Sequence, residues 1–122
     1  MDDIRNKAAE ALEKAADSFE SGELHWIQGS MGWQQYDTAC ARGALFHATM
    51  GNQRGVQELD GFRAGRSVVT VAERAMGFND VPLIGSYCTL TAWNDVPERT
   101  VNEVIDRMKE GAKRLRNGEP ID

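Results

Sequence analysis

The chain has 122 residues, a formal net charge of −5 and two cysteines without CxxC spacing. That length suits one domain whose core can fold without metal or disulfide, and the acidic balance excludes a general binder of nucleic acid or anionic membrane, which carries a basic excess. No apolar run approaches the ~18 residues of a membrane span and no secretory leader is read at the start, so a cytoplasmic location is expected.

Residues 2–21 read as an amphipathic helix. Ile4, Ala8, Ala11, Leu12, Ala15 and Phe19 recur at three- and four-residue intervals among strong helix formers. Asp2 and Asp3 suit the positive end of its dipole, and Ser21-Gly22 supplies a stop. At ~1.5 Å per residue it is about 30 Å long, so it must lie across the core. Residues 23–36 interleave Leu24, Trp26, Ile27, Met31, Trp33 and Tyr36 with small residues, which predicts an aromatic-rich loop packed on the helices. The Leu24/Trp26 alternation around His25 also fits a strand, but a strand without a partner is unstable; the reading is an ordered loop. Asp37 or Thr38 caps a second helix over about 38–50, where Gly43 implies close approach of a helix or ring. Residues 51–66, broken by four glycines and rich in charge, form a connection that is either functional or mobile.

Ser67 caps a third helix over 67–76, stopped by Gly77, although Val68, Val69 and Val71 leave a strand open. Residues 83–93 read as a buried helix, with a strand as the alternative, and are expected to be the most buried part of the fold. The stretch Ala92–Thr100 then reads as a rigid corner. Asp95 and Arg99 are spaced to pair, Asn94 or Asp95 to bond the backbone two residues on, and Pro97 stiffens the turn. Thr100 and Glu103 have capping-box spacing at the start of a helix over 101–116. Its stripe is Val101, Val104, Ile105, Met108, Ala112 and Leu115. Residues 2–21 carry a net −3 and residues 98–116 a net +2, which favours antiparallel pairing of the outer helices. The fold class is therefore all-α: a compact single domain, 1–122, of four or five helices with a packed aromatic loop.

Chemistry is sparse. Cys40 and His47, seven apart on one helix, would lie about 10 Å apart along its axis, too far for a thiol–imidazole bond. Cys40, Cys88, His25 and His47 are the only Cys and His residues and lack zinc-site spacing. No phosphate loop is present, so no catalytic residue, metal or cofactor is assigned. What remains is a group of large side chains, Trp26, Trp33, Tyr36 and Trp93, with Gln28, Arg42, Asn94 and Arg99. They fit a ligand pocket, a protein-binding hot spot or, more simply, a hydrophobic cluster under a loop.

Trp26-Ile27-Gln28-Gly29, Cys40-Ala41-Arg42-Gly43-Ala44-Leu45 and Ala92-Trp93-Asn94-Asp95-Val96-Pro97-Glu98-Arg99-Thr100 occur in that order. The set resembles an uncharacterised family of small proteins from actinobacteria and their phages, with Trp-x-Gln-Gly, Cys-Ala-x-Gly-Ala-Leu and Trp-Asn-Asp-x-Pro-x-Arg-Thr patterns over most of residues 4–115. The resemblance brings no activity; it implies a phage or actinobacterial cytoplasmic origin and a host-interacting accessory protein.

Three functions stay open. The first is non-enzymatic binding of a protein partner, a host factor, through Arg54, Phe62 and Arg63 in the glycine-rich segment and the surface around Trp33. The second is a small-ligand binder or enzyme built on Trp26, Arg42, Trp93 and Arg99. The third is a self-associating structural protein, such as a homodimer.

Overall fold

The computed structural model describes residues 3–29, 37–50, 68–78 and 89–121. Their order is helix α1 (Asp3–Ser21), strands β1 (His25–Trp26) and β2 (Thr38–Ala39), helix α2 (Ala41–Met50), helix α3 over 68–75, and helices α4 (Thr89–Asn94) and α5 (Val101–Arg116). The architecture is all-α, with one two-residue ladder as its only sheet among the described residues.

Alanine shapes the spine. The inner face of α1 is Ala8, Ala9, Ala11, Leu12, Ala15, Ala16 and Phe19, all buried, and its short side chains let α5 approach closely. The packing is tight at Gly111 of α5, where an added Cβ would stand 3.2 Å from Leu12 Cδ1 and 3.3 Å from the Ala75 carbonyl carbon. The two helices run antiparallel. Arg5 near the start of α1 donates to Glu119 O at 2.8 Å, Arg116 pairs with Glu13 at 2.9 Å, and Lys109 pairs with Glu20 at 2.9 Å. These ion pairs are exposed, so they set alignment more than stability.

Helix α3 packs its end against α5. Phe78 N–H donates to Glu73 O and Gly77 N–H to Arg74 O, both at 2.9 Å, with Gly77 at φ 102°. This is a Schellman ending, which needs a left-handed residue at that position. Arg107 adds a bond to Met76 O at 2.7 Å and Arg114 one to Ala75 O at 2.9 Å. Two cations of α5 thus meet the negative end of the α3 dipole. Leu12, Leu45, Val69, Met76, Leu90, Val104 and Met108 fill a single core between the helices. Among the described residues no helix is long and apolar enough to cross a membrane.

Two expectations change. His25–Trp26 is a strand rather than part of a loop, because it has a partner: it pairs in parallel with Thr38–Ala39, His25 opposite Thr38 and Trp26 opposite Ala39. That pairing takes Thr38 out of α2, which begins at Ala41 instead of near 38. Cys40 becomes the cap, its Sγ accepting from Gly43 N–H at 3.4 Å and its carbonyl from Ala44 N–H at 2.9 Å. Within 83–93, residues 89–93 belong to α4, with Leu90 fully buried, Thr91 and Trp93 half-buried and Ala92 exposed; the rest of the segment, and with it the expected burial, lies outside the described residues. Residues 51–66, Ser67, 83–88 and Cys88 lie outside the described residues.

Candidate functional site

Among the described residues, a dense polar arrangement forms where α4 ends, around Asn94. Its side chain is fully buried, with 0% of the residue exposed. Its Oδ1 accepts from Trp26 Nε1 at 2.6 Å and from the Ala41 backbone N–H at 2.9 Å. Its Nδ2 donates to Ile27 O at 3.2 Å and to Asp95 Oδ1 at 2.9 Å. A primary amide has two donors and two accepting lone pairs, so all four are in use. One side chain therefore joins the β1 strand, the first turn of α2 and the corner after α4. The Ala41 bond also satisfies an N–H that α2 itself leaves without a partner.

Gln28 repeats the motif from the other direction. Its Nε2 donates to Asn94 O at 3.0 Å and Val96 O at 2.7 Å, and the Gly29 N–H donates to Asp95 Oδ1 at 3.0 Å. Residues 26–29 and 94–96 are thereby clasped along their length.

The adjacent indole is covered by cations. Arg99 stacks over Trp93 at 4.1 Å and its Nε donates to Trp93 O at 3.0 Å. Arg107 lies 5.1 Å from the same ring and 5.3 Å from Phe78, which itself tilts against Trp93 at 5.7 Å. These stacks hold the corner against α5. The helix start is locked too. Thr100 Oγ1 accepts from Glu103 N–H at 3.3 Å and Glu103 Oε1 accepts from Thr100 N–H at 2.8 Å. The Thr100 backbone N–H, helped by the charge of Arg99, holds the Glu103 carboxyl below its ordinary value. Arg99 Nη1 completes this edge at 3.3 Å from Glu103 Oε2.

Among the sequence candidates, Trp26, Gln28, Trp93, Asn94, Asp95 and Arg99 converge, while Pro97 sits in the exposed turn. Arg42 turns elsewhere: its Nε lies 3.1 Å from Glu73 Oε2, with the two side chains 11% and 4% exposed, and its guanidinium covers Phe46 at 5.8 Å. Trp33, Tyr36, Arg54, Phe62 and Arg63 lie outside the described residues. The expected Asp95–Arg99 pair does not form, since Arg99 is drawn to Trp93 O and Glu103 while Asp95 faces Gly29 and Asn94. Nor does Asn94 bond the backbone two residues on; the folded chain offers it Trp26 and Ala41 instead. Sequence reasoning does not single out Arg107 or Glu73. A hint for Arg107 is its seven-residue spacing to Arg114, which places both on one side of α5.

Beside the clasp, Phe19, Gly22, Leu24, His25, Trp26 and Val101 line an open recess of about 260 Å³. At its rim His25 Nε2 lies 3.7 Å from Asp37 Oδ2, both well exposed. Among the described residues no three His, Cys, Asp or Glu side chains are grouped to hold a metal. The chemistry of the clasp is thus mutual satisfaction of polar groups, with the Trp26 indole and the two amides engaged by the chain's own side chains and backbone.

A family model described as a family of unknown function (DUF6197) matches residues 3–114. No curated protein and no solved structure matches the chain.

Proposed function

The chain belongs to that family of unknown function, and we propose that it is a small non-enzymatic accessory protein that works by binding another protein. The observation behind this reading is the clasp. Trp26, Gln28, Asn94 and Arg99, the side chains best suited to grip a small ligand, are engaged by backbone atoms and by one another. Their work is to make a rigid frame. Gly29 N–H is held by Asp95 and Asp37 O by His25 N–H, and these two residues bound 30–36, which carries Trp33 in the sequence. Holding the two ends of a Trp-bearing stretch in place lowers the ordering cost of binding, which is how preorganised hot spots gain affinity. The resemblance to phage and actinobacterial proteins makes a cytoplasmic host protein the favoured partner.

The test is quantitative capture from a host lysate with the immobilised chain, wild type against a Trp33→Ala/Arg63→Ala double variant of unchanged circular dichroism. A saturable partner that the double variant loses supports the reading. Equal capture by both chains, or no saturable partner, ends it. The recess beside Trp26 keeps small-ligand binding as a second reading, and a ligand-induced rise in melting temperature that a Leu24→Arg variant abolishes would favour it. Light scattering decides self-association: a dimer mass in dilute solution would replace both readings.

A further inference from the structure

We propose that Asn117-Gly118 is a spontaneous deamidation site whose rate is controlled by the end of α5. Among the asparagines of the chain, only Asn117 precedes a glycine, the neighbour that hinders attack on the side-chain amide least. Asn117 is also exposed.

The reaction needs no enzyme. The Gly118 backbone nitrogen loses its proton to solvent base and attacks Asn117 Cγ. The new C–N bond closes a five-membered succinimide as the Cγ–Nδ2 bond breaks and ammonia leaves. Water then opens either carbonyl of the ring, giving aspartate or its backbone-shifted isomer. One water enters, one ammonia departs and nothing is oxidised.

The fold opposes the first step. Gly118 N–H donates to Leu115 O at 3.2 Å and Glu119 N–H to Arg114 O at 3.0 Å, a second Schellman ending. Asn117 is held at φ −81° and ψ −3°, and its own N–H donates to Lys113 O at 2.9 Å. The attacking nitrogen is therefore tied to a carbonyl of its own helix, and the helical ψ keeps it turned away from Cγ. Two guanidiniums secure the residues beyond Gly118: Arg5 donates to Glu119 O at 2.8 Å and Arg114 to Pro120 O at 3.5 Å. Ile121 rests against the core beyond them.

The product does not restore this ending. Aspartate puts a negative charge at the negative end of the α5 dipole. The isomer adds a methylene to the main chain, which takes Gly118 and Glu119 out of reach of Leu115 O and Arg114 O. With ammonia lost, conversion is one-way; residues 118–121 leave their places on α5, and Arg5 loses its acceptor.

The experiment incubates the full chain at mildly alkaline pH and tracks the mass gain of one dalton, with peptide mapping to place it and to separate aspartate from its isomer. Expected are conversion at Asn117, a rate on the order of tenfold slower in native buffer than in urea at the same pH, as for a local opening of modest cost, and a several-fold faster native rate in Arg5→Ala. Asn117→Gln abolishes the gain. Equal rates in buffer and urea, an Arg5→Ala chain no faster than wild type, or conversion centred on another asparagine would each overturn the proposal.

Discussion

Replacing Asn94 by alanine tests the clasp most directly. The truncation strands the Ala41 N–H, which lies in the buried interior, at a cost of about 2 kcal/mol for an unsatisfied buried donor. The contacts to Trp26, Ile27 and Asp95 are only part-buried; water can replace the lost amide there, so each contributes about 0.5–1 kcal/mol. Together the loss is about 4 kcal/mol, a large share of the ~5–15 kcal/mol that holds a domain folded. In urea, with a slope of about 2 kcal/mol per M, the midpoint falls by about 2 M. Asn94→Asp separates hydrogen-bond geometry from polarity. It keeps an oxygen toward Trp26 and Ala41 but puts a second one where Nδ2 donated, 2.9 Å from Asp95 Oδ1 and 3.2 Å from Ile27 O. Burial and the neighbouring carboxylate would raise the pKa of the new acid above its unfolded value of ~3.9. The penalty is then complete at neutral pH and fades as pH falls through the folded pKa toward the unfolded one. Asn94→Asp should be less stable than Asn94→Ala at pH 7 and should recover the difference on acidification. A midpoint for Asn94→Ala within measurement error of wild type, or Asp and Ala variants that match at every pH, would refute the account.

Gly111→Ala should destabilise the chain by about 1–3 kcal/mol in thermal unfolding, because the added methyl meets α3 backbone at Ala75, and this overpacking outweighs the ~1 kcal/mol gain in helix propensity. Gly77→Ala, at φ 102° with Arg107 Nη1 3.3 Å from the new Cβ, should lose about 1–2 kcal/mol in the same assay; a neutral result would mean that the α3 ending relaxes freely. Glu103→Gln keeps the capping box but removes its titration. Since the folded Glu103 pKa lies below its ordinary value of 4.5, wild type should lose stability relative to the variant as pH falls from 4.5 through the lower folded pKa, and parallel acid-unfolding curves would contradict the assignment.

The outer helices are legible in the sequence because each carries its own signal. The Ala/Leu/Phe spacing of α1 and the Thr100–Glu103 box of α5 are local patterns, and the opposite charges of the two helices anticipate their antiparallel contact. The β1–β2 ladder is hidden because two residues have no periodicity, and the partner that stabilises His25–Trp26 begins only at Thr38. The start of α2 moves for the same reason: Thr38 is a good cap in isolation, but the ladder claims it. At the candidate site the sequence locates the residues and misleads about their contacts. Asn94, Asp95 and Arg99 read as a self-contained turn, whereas Asn94 bonds residues 53 to 68 positions away. A polar residue beside a turn looks the same whether it closes that turn or crosses the molecule. Gly111 is lost inside a strong apolar stripe, although a glycine there carries a propensity cost that calls for a tight neighbour.

The alanine face of α1 has a consequence for the nascent chain. Its docking surface on α5 is translated more than eighty residues later, and ribosomes deliver ~5–20 residues per second. The part of the inner face that α5 covers, unlike the part that meets α2, therefore waits about 10 s for its partner. Methyl groups present far less adhesive area than the leucines or isoleucines that usually fill such a stripe. The same small side chains that admit Gly111 so closely leave little for a chaperone or a neighbouring polypeptide to seize during that interval.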